Sequence, residues 1–236
     1  MKPVYIFRHS PTEGAGHFAT FLDRHRIAHR LVRIDAGDSV PADAGDCAGL
    51  AFMGGPMSVN DDLPWIRDEL ALIRDAVRHK LPVIGHCLGG QLMSKALGGS
   101  VSRNAVKEIG WGKVKVGDNA EARAWLPDTS EFLSFHWHGE TFSLPAGTTP
   151  ILASPYCTNQ AWVMGPHLAM QCHVEMTADM IRSWCAAGAD EIAAHAEQPS
   201  VQREAAMLQD LAPRLAQLHA AAEQLYSRWI VGLSRT

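Results

Sequence analysis

The sequence has no long apolar run, no cluster of basic residues and no closely paired cysteines, and each absence removes a class of function. No stretch approaches the roughly 20 apolar residues that a membrane-spanning helix requires, so a membrane is not an expected partner. The opening MKPVYIFRHS lacks the apolar core and small-residue cleavage site of a secretory signal, which predicts a cytoplasmic location. Lys plus Arg total 21 against 25 for Asp plus Glu, a net charge of -4, and nucleic acid is therefore excluded as an expected partner. The five cysteines, Cys47, Cys87, Cys157, Cys172 and Cys185, are odd in number and widely spaced, without a C-x-x-C pair. A disulfide framework is excluded, and a catalytic thiol becomes easier to credit. There is no Walker-type loop, dinucleotide fingerprint or internal repeat, so no nucleotide cofactor is expected.

What is present is an ordinary globular composition, 47% hydrophobic and 19% charged over 236 residues, enough for a sizeable core. Short apolar runs (PVYIF, HRLVRI, CAGLAFM, LPVIG) alternate with helical patterns near residues 18–25 and 65–77. This alternation predicts an α/β fold, an open and mostly parallel twisted sheet flanked by helices. The second helix is well marked: Pro64 suits its first turn, Asp61 and Asp62 precede it, and Ile66, Leu70, Ile73 and Val77 share one face. From Val101 to Gln171 the pattern changes to β runs with turns, expected to be the second half of the sheet plus a small β excursion. After Thr177 the chain reads as helical. Leu208, Leu211, Leu215, Leu218, Ala222, Leu225 and Trp229 form a heptad-like stripe that either packs on its own domain or makes a homodimer or partner interface. The expected division is a main domain over 1–190 and a helical C-terminal extension over 191–236.

The run LPVIGHCLGGQLMSKALGG places Cys87 between an apolar strand and a glycine-opened helix. Gly85, His86, Cys87, Leu88, Gly89 is the cysteine counterpart of the G-x-S-x-G nucleophile elbow, in which a strained turn exposes the nucleophile and the following amide, here that of Leu88, faces the substrate. A thiolate there, near an imidazole and at a helix N-terminus, is favoured by charge and dipole alike. A cysteine nucleophile needs a base and an orienting acid. In MQCHVEM, His173 and Glu175 fall on one face of an extended segment and supply both. Taken alone, an H-x-E pair is as readily a satisfied histidine beside a surface charge. The third element is FMGGPMSVND, where Gly54 and Gly55 end another buried strand and let the backbone approach a ligand; the Gly55 amide would complete an oxyanion hole with that of Leu88. Three elements that each end a strand make a constellation. His86 is expected to be turned away by strand alternation and to serve packing. His136 and His138 share a face and, with Cys172 or His173, suggest a metal site, but the acidic partners and fixed spacing of a known site are missing, so no metal is expected. Cys47, Cys157 and Cys185 read as small core residues.

The segments MGGPMSVNDDLPW, GHCLGGQLMSKALGG, KEIGW, WHGETFSLP, CTNQAW and QCHVE, spanning residues 52–175 in this order, resemble the class I, triad-type glutamine amidotransferases, in particular their free-standing GMP-synthase-like members. The resemblance implies a flavodoxin-like arrangement. It also implies that Cys87 attacks the side-chain amide carbon of glutamine, that the Gly55 and Leu88 amides hold the oxyanion, and that His173, oriented by Glu175, protonates ammonia and then activates water. It further assigns Gln91 to holding bound glutamine, and Trp137, His138 and Gly139 to a substrate-lining loop, with Gly54 beside the oxyanion turn. Two departures stand out: Val174 replaces a usual proline between His173 and Glu175, and Cys172 replaces a commonly aromatic neighbour. The small-molecule substrate is then glutamine or another γ-glutamyl compound. The alternatives are a γ-glutamyl peptide hydrolase and a partner-gated subunit feeding ammonia to a separate synthetase, since no synthetase domain is expected within these residues.

Overall fold

The computed structural model describes residues 2–233. Nine strands form one sheet in the order β2-β1-β3-β4-β9-β8-β7-β5-β6. These are β1 (Val4–Arg8), β2 (His29–Arg33), β3 (Gly49–Phe52), β4 (Val83–His86), β5 (Val101–Val116), β6 (Glu131–Phe142), β7 (Thr149–Ala153), β8 (Ala161–Met164) and β9 (His167–Met170). The run β2-β1-β3-β4-β9 is parallel throughout, as the alternating pattern of the first half requires. From β9 onward every pairing is antiparallel, through β8 and β7 to the long β5–β6 ribbon. The β excursion of the middle segment is thus a full antiparallel half of the same sheet.

Apart from the exposed edge strand β2, the parallel strands are buried on both faces, and their side chains divide between two cores. Val4, Ile6, Ala51 and Ile84 join one with Phe18, Phe21 and Leu22 of α1 (Gly16–Arg24); Tyr5, Phe7, Leu50, Phe52 and Val83 join the other with Ile66, Leu72 and Ile73 of α2 (Pro64–Arg78). Helix α2 begins at Pro64 as expected, but its fully buried face is Ile66, Glu69, Leu72, Ile73 and Ala76, with Leu70 and Val77 only partly covered. The face is rotated so that it includes Glu69, which pairs with His9.

Helix α3 (Leu88–Ala96) follows β4 after the single residue Cys87 and lies tight against the sheet. A Cβ on Gly89 would sit 2.1 Å from the Phe52 carbonyl oxygen and one on Gly90 2.4 Å from that of Met170, so only glycine permits this approach. After the short α4 (Ala120–Trp125) and the antiparallel strands, the chain ends in α5 (Ala178–Ala187), α6 (Ala189–Ala194), α7 (Glu204–Leu208) and the long α8 (Leu211–Ile230). In α8, Leu215, Leu218, Ala222, Leu225 and Trp229 are buried in the same core as α1. Five of the seven residues of the heptad-like stripe are thus buried within the chain, and Leu208 and Leu211 are partly covered against the same core.

Candidate active site

The carboxyl ends of four adjacent parallel strands, β1, β3, β4 and β9, deliver His9, Gly54 with Gly55, Cys87, and His173 to one place, the position where open α/β sheets hold ligands. Cys87 has φ 50° and ψ -106°, a strained backbone for a side-chain-bearing residue, as a nucleophile elbow requires. Its N–H donates to the Met170 carbonyl at 2.8 Å, which ties the turn to β9. The residue is 7% exposed and lines a cavity of about 830 Å³.

His173 and Glu175 lie just beyond the end of β9, where the chain bends on either side of His173 rather than running on as the extended segment expected from the sequence. His173 exchanges backbone hydrogen bonds with Phe135 of β6, which anchors the bend. The two side chains still meet, and His173 Nδ1 donates to Glu175 Oε1 at 2.6 Å. Proline is thus not needed for this geometry. The imidazole packs edge-on against Trp184 of α5, ring centres 4.8 Å apart. Its Nε2 is buried and has no hydrogen-bond partner among the described residues. Burial lowers the His173 pKa, but the Glu175 carboxylate and the neighbouring Cys87 outweigh it and hold the imidazole well above its ordinary value. Burial raises Glu175, yet His173 foremost, with His86, keeps it below the usual carboxylate range.

The turn after β3 sits on a buried pair. His9 Nδ1 is 3.1 Å from the Met53 carbonyl oxygen, and Nε2 is 3.0 Å from Glu69 Oε2. Burial opposes protonation of His9, but Glu69 and the carbonyls raise its pKa above the ordinary value, burial raises that of Glu69 too, and the ring ties the glycine turn to α2. The Gly55 N–H has no protein acceptor among the described residues. A Cβ on Gly55 would lie 2.7 Å from Leu88 Cδ2, so the two amides expected to form an oxyanion hole belong to touching residues.

The remaining expected residues divide. Gln91 donates to Gln171 Oε1 at 3.1 Å, and the Gln171 amide in turn lies 3.5 Å from Cys87 Sγ; Gln91 also lines the cavity. The Trp137 carbonyl is 3.9 Å from the thiol, while its indole N–H donates to Glu191 of α6 at 2.8 Å. His138 and Gly139 line the cavity, but the His138 ring is already engaged: Nε2 donates to Glu108 Oε2 at 3.0 Å, and Nδ1 is 2.9 Å from the Glu140 carbonyl. Gly54 lies under Glu13, whose Oε2 would be 2.2 Å from a Cβ there, with His173 Cε1 3.3 Å from the same point.

Two expectations change. His86 is not simple packing: Nε2 shares a hydrogen bond with the Tyr226 hydroxyl of α8 at 3.0 Å and is 4.0 Å from Glu175 Oε2. His136 and His138 do gather a third ligand type, but it is Glu108 rather than Cys172 or His173, and all three are buried. Glu108 accepts from Ser154 at 2.8 Å, Gln160 at 2.7 Å and His138, while His136 Nδ1 and Gln160 Oε1 stay without a partner among the described residues. Burial raises the other thiols, Cys47 and Cys185 to about 11 and Cys172 to about 12, which suits inert core residues.

A family model described as glutamine amidotransferase class-I matches residues 22–182. A crystal structure of a glutamine amido transferase from Methylobacillus flagellatus superposes with a TM-score of 0.96 at 48% identity, covering 100% of this chain and 97% of that one. The glutamine amidotransferase-like protein YfeJ of Salmonella typhimurium is 30% identical over 188 residues, 75% of this chain and 77% of its own length. The glutamine-hydrolysing GMP synthase of Aeropyrum pernix is 32% identical over 165 residues, 64% of this chain but only 30% of that enzyme.

Proposed function

The chain belongs to the class-I glutamine amidotransferase family, and on that footing we propose that it hydrolyses the γ-amide of glutamine through Cys87, His173 and Glu175. The observation that carries this reading is the buried line from Glu175 Oε1 to His173 Nδ1, 2.6 Å long, with the unpartnered His173 Nε2 beside a strained cysteine turn. The Cys87 thiolate adds to the γ-carbonyl carbon and the oxygen gains charge next to the Leu88 and Gly55 amides, which stabilise it. His173 Nε2 then protonates the nitrogen, the C–N bond breaks and ammonia leaves. In the second half, neutral His173 takes a proton from water as it attacks the thioester, and glutamate is released with the thiol restored. Glu175 fixes the imidazole tautomer throughout. Gln171, held by Gln91, restrains the thiol from the side. In this reading the helices over 191–236 form an extension packed on the main domain, and ammonia passes to an acceptor protein, as the similarity to part of a GMP synthase suggests.

A second reading has its own observation. The cavity of about 830 Å³ runs past Cys87 between the bulged start of β5 (Arg103–Lys107) and α6, toward the upper end of the size range of small-molecule pockets and roomier than glutamine needs. A γ-glutamyl amide of a larger amine would fill it, and the same chemistry would cleave it.

Release of glutamate from L-glutamine and from a panel of γ-glutamyl peptides, beside Cys87→Ala, tests both. Cys87-dependent turnover of glutamine supports the first reading and turnover of peptides alone the second. Activity that survives Cys87→Ala would overturn them together.

A further inference from the structure

Glu13 lies in the loop between β1 and α1, outside every motif used above. Its backbone is fixed: the Glu13 N–H donates to the Ser10 carbonyl at 3.1 Å, and the Thr12 carbonyl accepts from the Trp184 indole at 2.9 Å. Its carboxyl rests on Gly54, at the same spot that His173 Cε1 approaches, and lines the cavity. It makes no hydrogen bond or ion pair with any described residue, although His9, His173 and Glu175 all face it. Burial pushes this carboxyl up to about 7; His173 pulls against the rise, Glu175 adds to it, and His9 opposes it. A partly buried acid left unpaired beside the reacting groups carries an energetic cost that a cationic or N–H-donating ligand would relieve.

The reaction just proposed produces one such ligand at that side. The nitrogen that receives the proton from His173 must lie near Nε2, and Glu13 is the carboxyl that borders the same imidazole edge. We propose that Glu13 forms an amine subsite, accepting N–H hydrogen bonds from the departing ammonia or primary amine. This rests on the hydrolytic reading and deepens it. When Glu13 is in its acid form it passes its proton to free ammonia, and the pair left behind is a carboxylate with ammonium. The atoms balance without a further reactant.

Because the site holds amines, it also holds amine nucleophiles that intercept the thioester. Hydroxylamine nitrogen bonds to the thioester carbon, the C–S bond breaks, the thiol takes up the proton, and γ-glutamyl hydroxamate leaves. With glutamine as donor, the wild-type ratio of hydroxamate to glutamate should saturate with hydroxylamine. In Glu13→Gln and Glu13→Ala the half-saturating concentration should rise at least tenfold. The ratio is set within each active molecule, so partial misfolding does not alter it. An unchanged half-saturation overturns the subsite.

A second readout needs no turnover. Alkylation of Cys87 by iodoacetamide, followed by mass spectrometry, should slow at least threefold in methylammonium chloride relative to sodium chloride at equal ionic strength, and this protection should vanish in Glu13→Gln. Equal rates in the wild type overturn the proposal. A chain that turns over no γ-glutamyl compound would refute the hydrolytic reading, while the alkylation result would still decide for or against Glu13.

Discussion

Two buried clusters of histidine and carboxylate lie close together in this fold and differ in what stands beside them. In one, His173 and Glu175 are paired at 2.6 Å, yet His173 Nε2 and Glu175 Oε2 keep unused hydrogen-bonding capacity, and a thiol stands at a cavity beside them. In the other, Glu108 accepts from Ser154, Gln160 and His138, and His138 is engaged at both ring nitrogens. His136 completes that group in a neutral state, because burial, against the pull of Glu108, lowers its pKa to about 4. Residue types alone do not separate the two. Nor does unmet capacity, since His136 Nδ1 and Gln160 Oε1 also lack partners among the described residues; what sets the first cluster apart is the strained, cavity-lining cysteine beside it.

The sharpest way to break this contrast is to remove the thiol. Cys87→Ala should abolish glutamate release by about four orders of magnitude or more, and His173→Gln by a similar factor, because groups that act as a unit are lost together; steady-state assays of both, with the folded fraction measured by near-UV circular dichroism, check this. Next in size is Glu175→Gln, expected to lower kcat by about 10² to 10⁴. The carboxylate holds the His173 pKa up, so its removal lets that pKa fall, and the basic limb of the kcat/KM profile should move toward lower pH. A pH profile with an unmoved basic limb would contradict the electrostatic role given to Glu175.

The Glu108 cluster should answer with stability instead. Glu108→Ala strands His138, Ser154 and Gln160 and is expected to cost about 3–5 kcal/mol by urea denaturation, with kcat per folded molecule within about threefold of the wild type. A loss of kcat as large as that of Glu175→Gln, with stability intact, would erase the distinction. The smallest effect belongs to Tyr226→Phe, which removes one buried hydrogen bond to His86. A destabilisation of about 1 kcal/mol is expected, together with a kcat reduction of a few fold transmitted through Glu175. Thermal melts beside initial rates resolve the two components.

The parallel half of the sheet and the cysteine turn were legible in the sequence because their signals are local: alternating apolar runs, a glycine pattern around Cys87, and i, i+2 spacing at His173 and Glu175. The supports were not. His9 and Glu69 lie in different elements, and neither position carries a motif, so their pairing exists only once β1 meets α2. Glu13 sits in an unremarkable loop and gains meaning from the space above Gly54. Strand alternation gave no view of what waits on the other face of His86, namely Tyr226 from the last long helix and the second oxygen of Glu175. The size of the antiparallel half was hidden for a different reason, since edge and ribbon strands such as β5 mix charged and apolar residues without a strict period.

Strands β4 and β9 are neighbours in the sheet although more than a third of the chain separates Cys87 from His173. During synthesis Cys87 therefore emerges long before His173, and the register that joins Ile84 to Leu168 forms only after the whole antiparallel half has been made. A nascent chain carries an ordinary cysteine. On the proposed reading its pairing with His173 arrives late, with the closing of the sheet, so fragments and stalled products that stop short of β9 would lack the proposed activity.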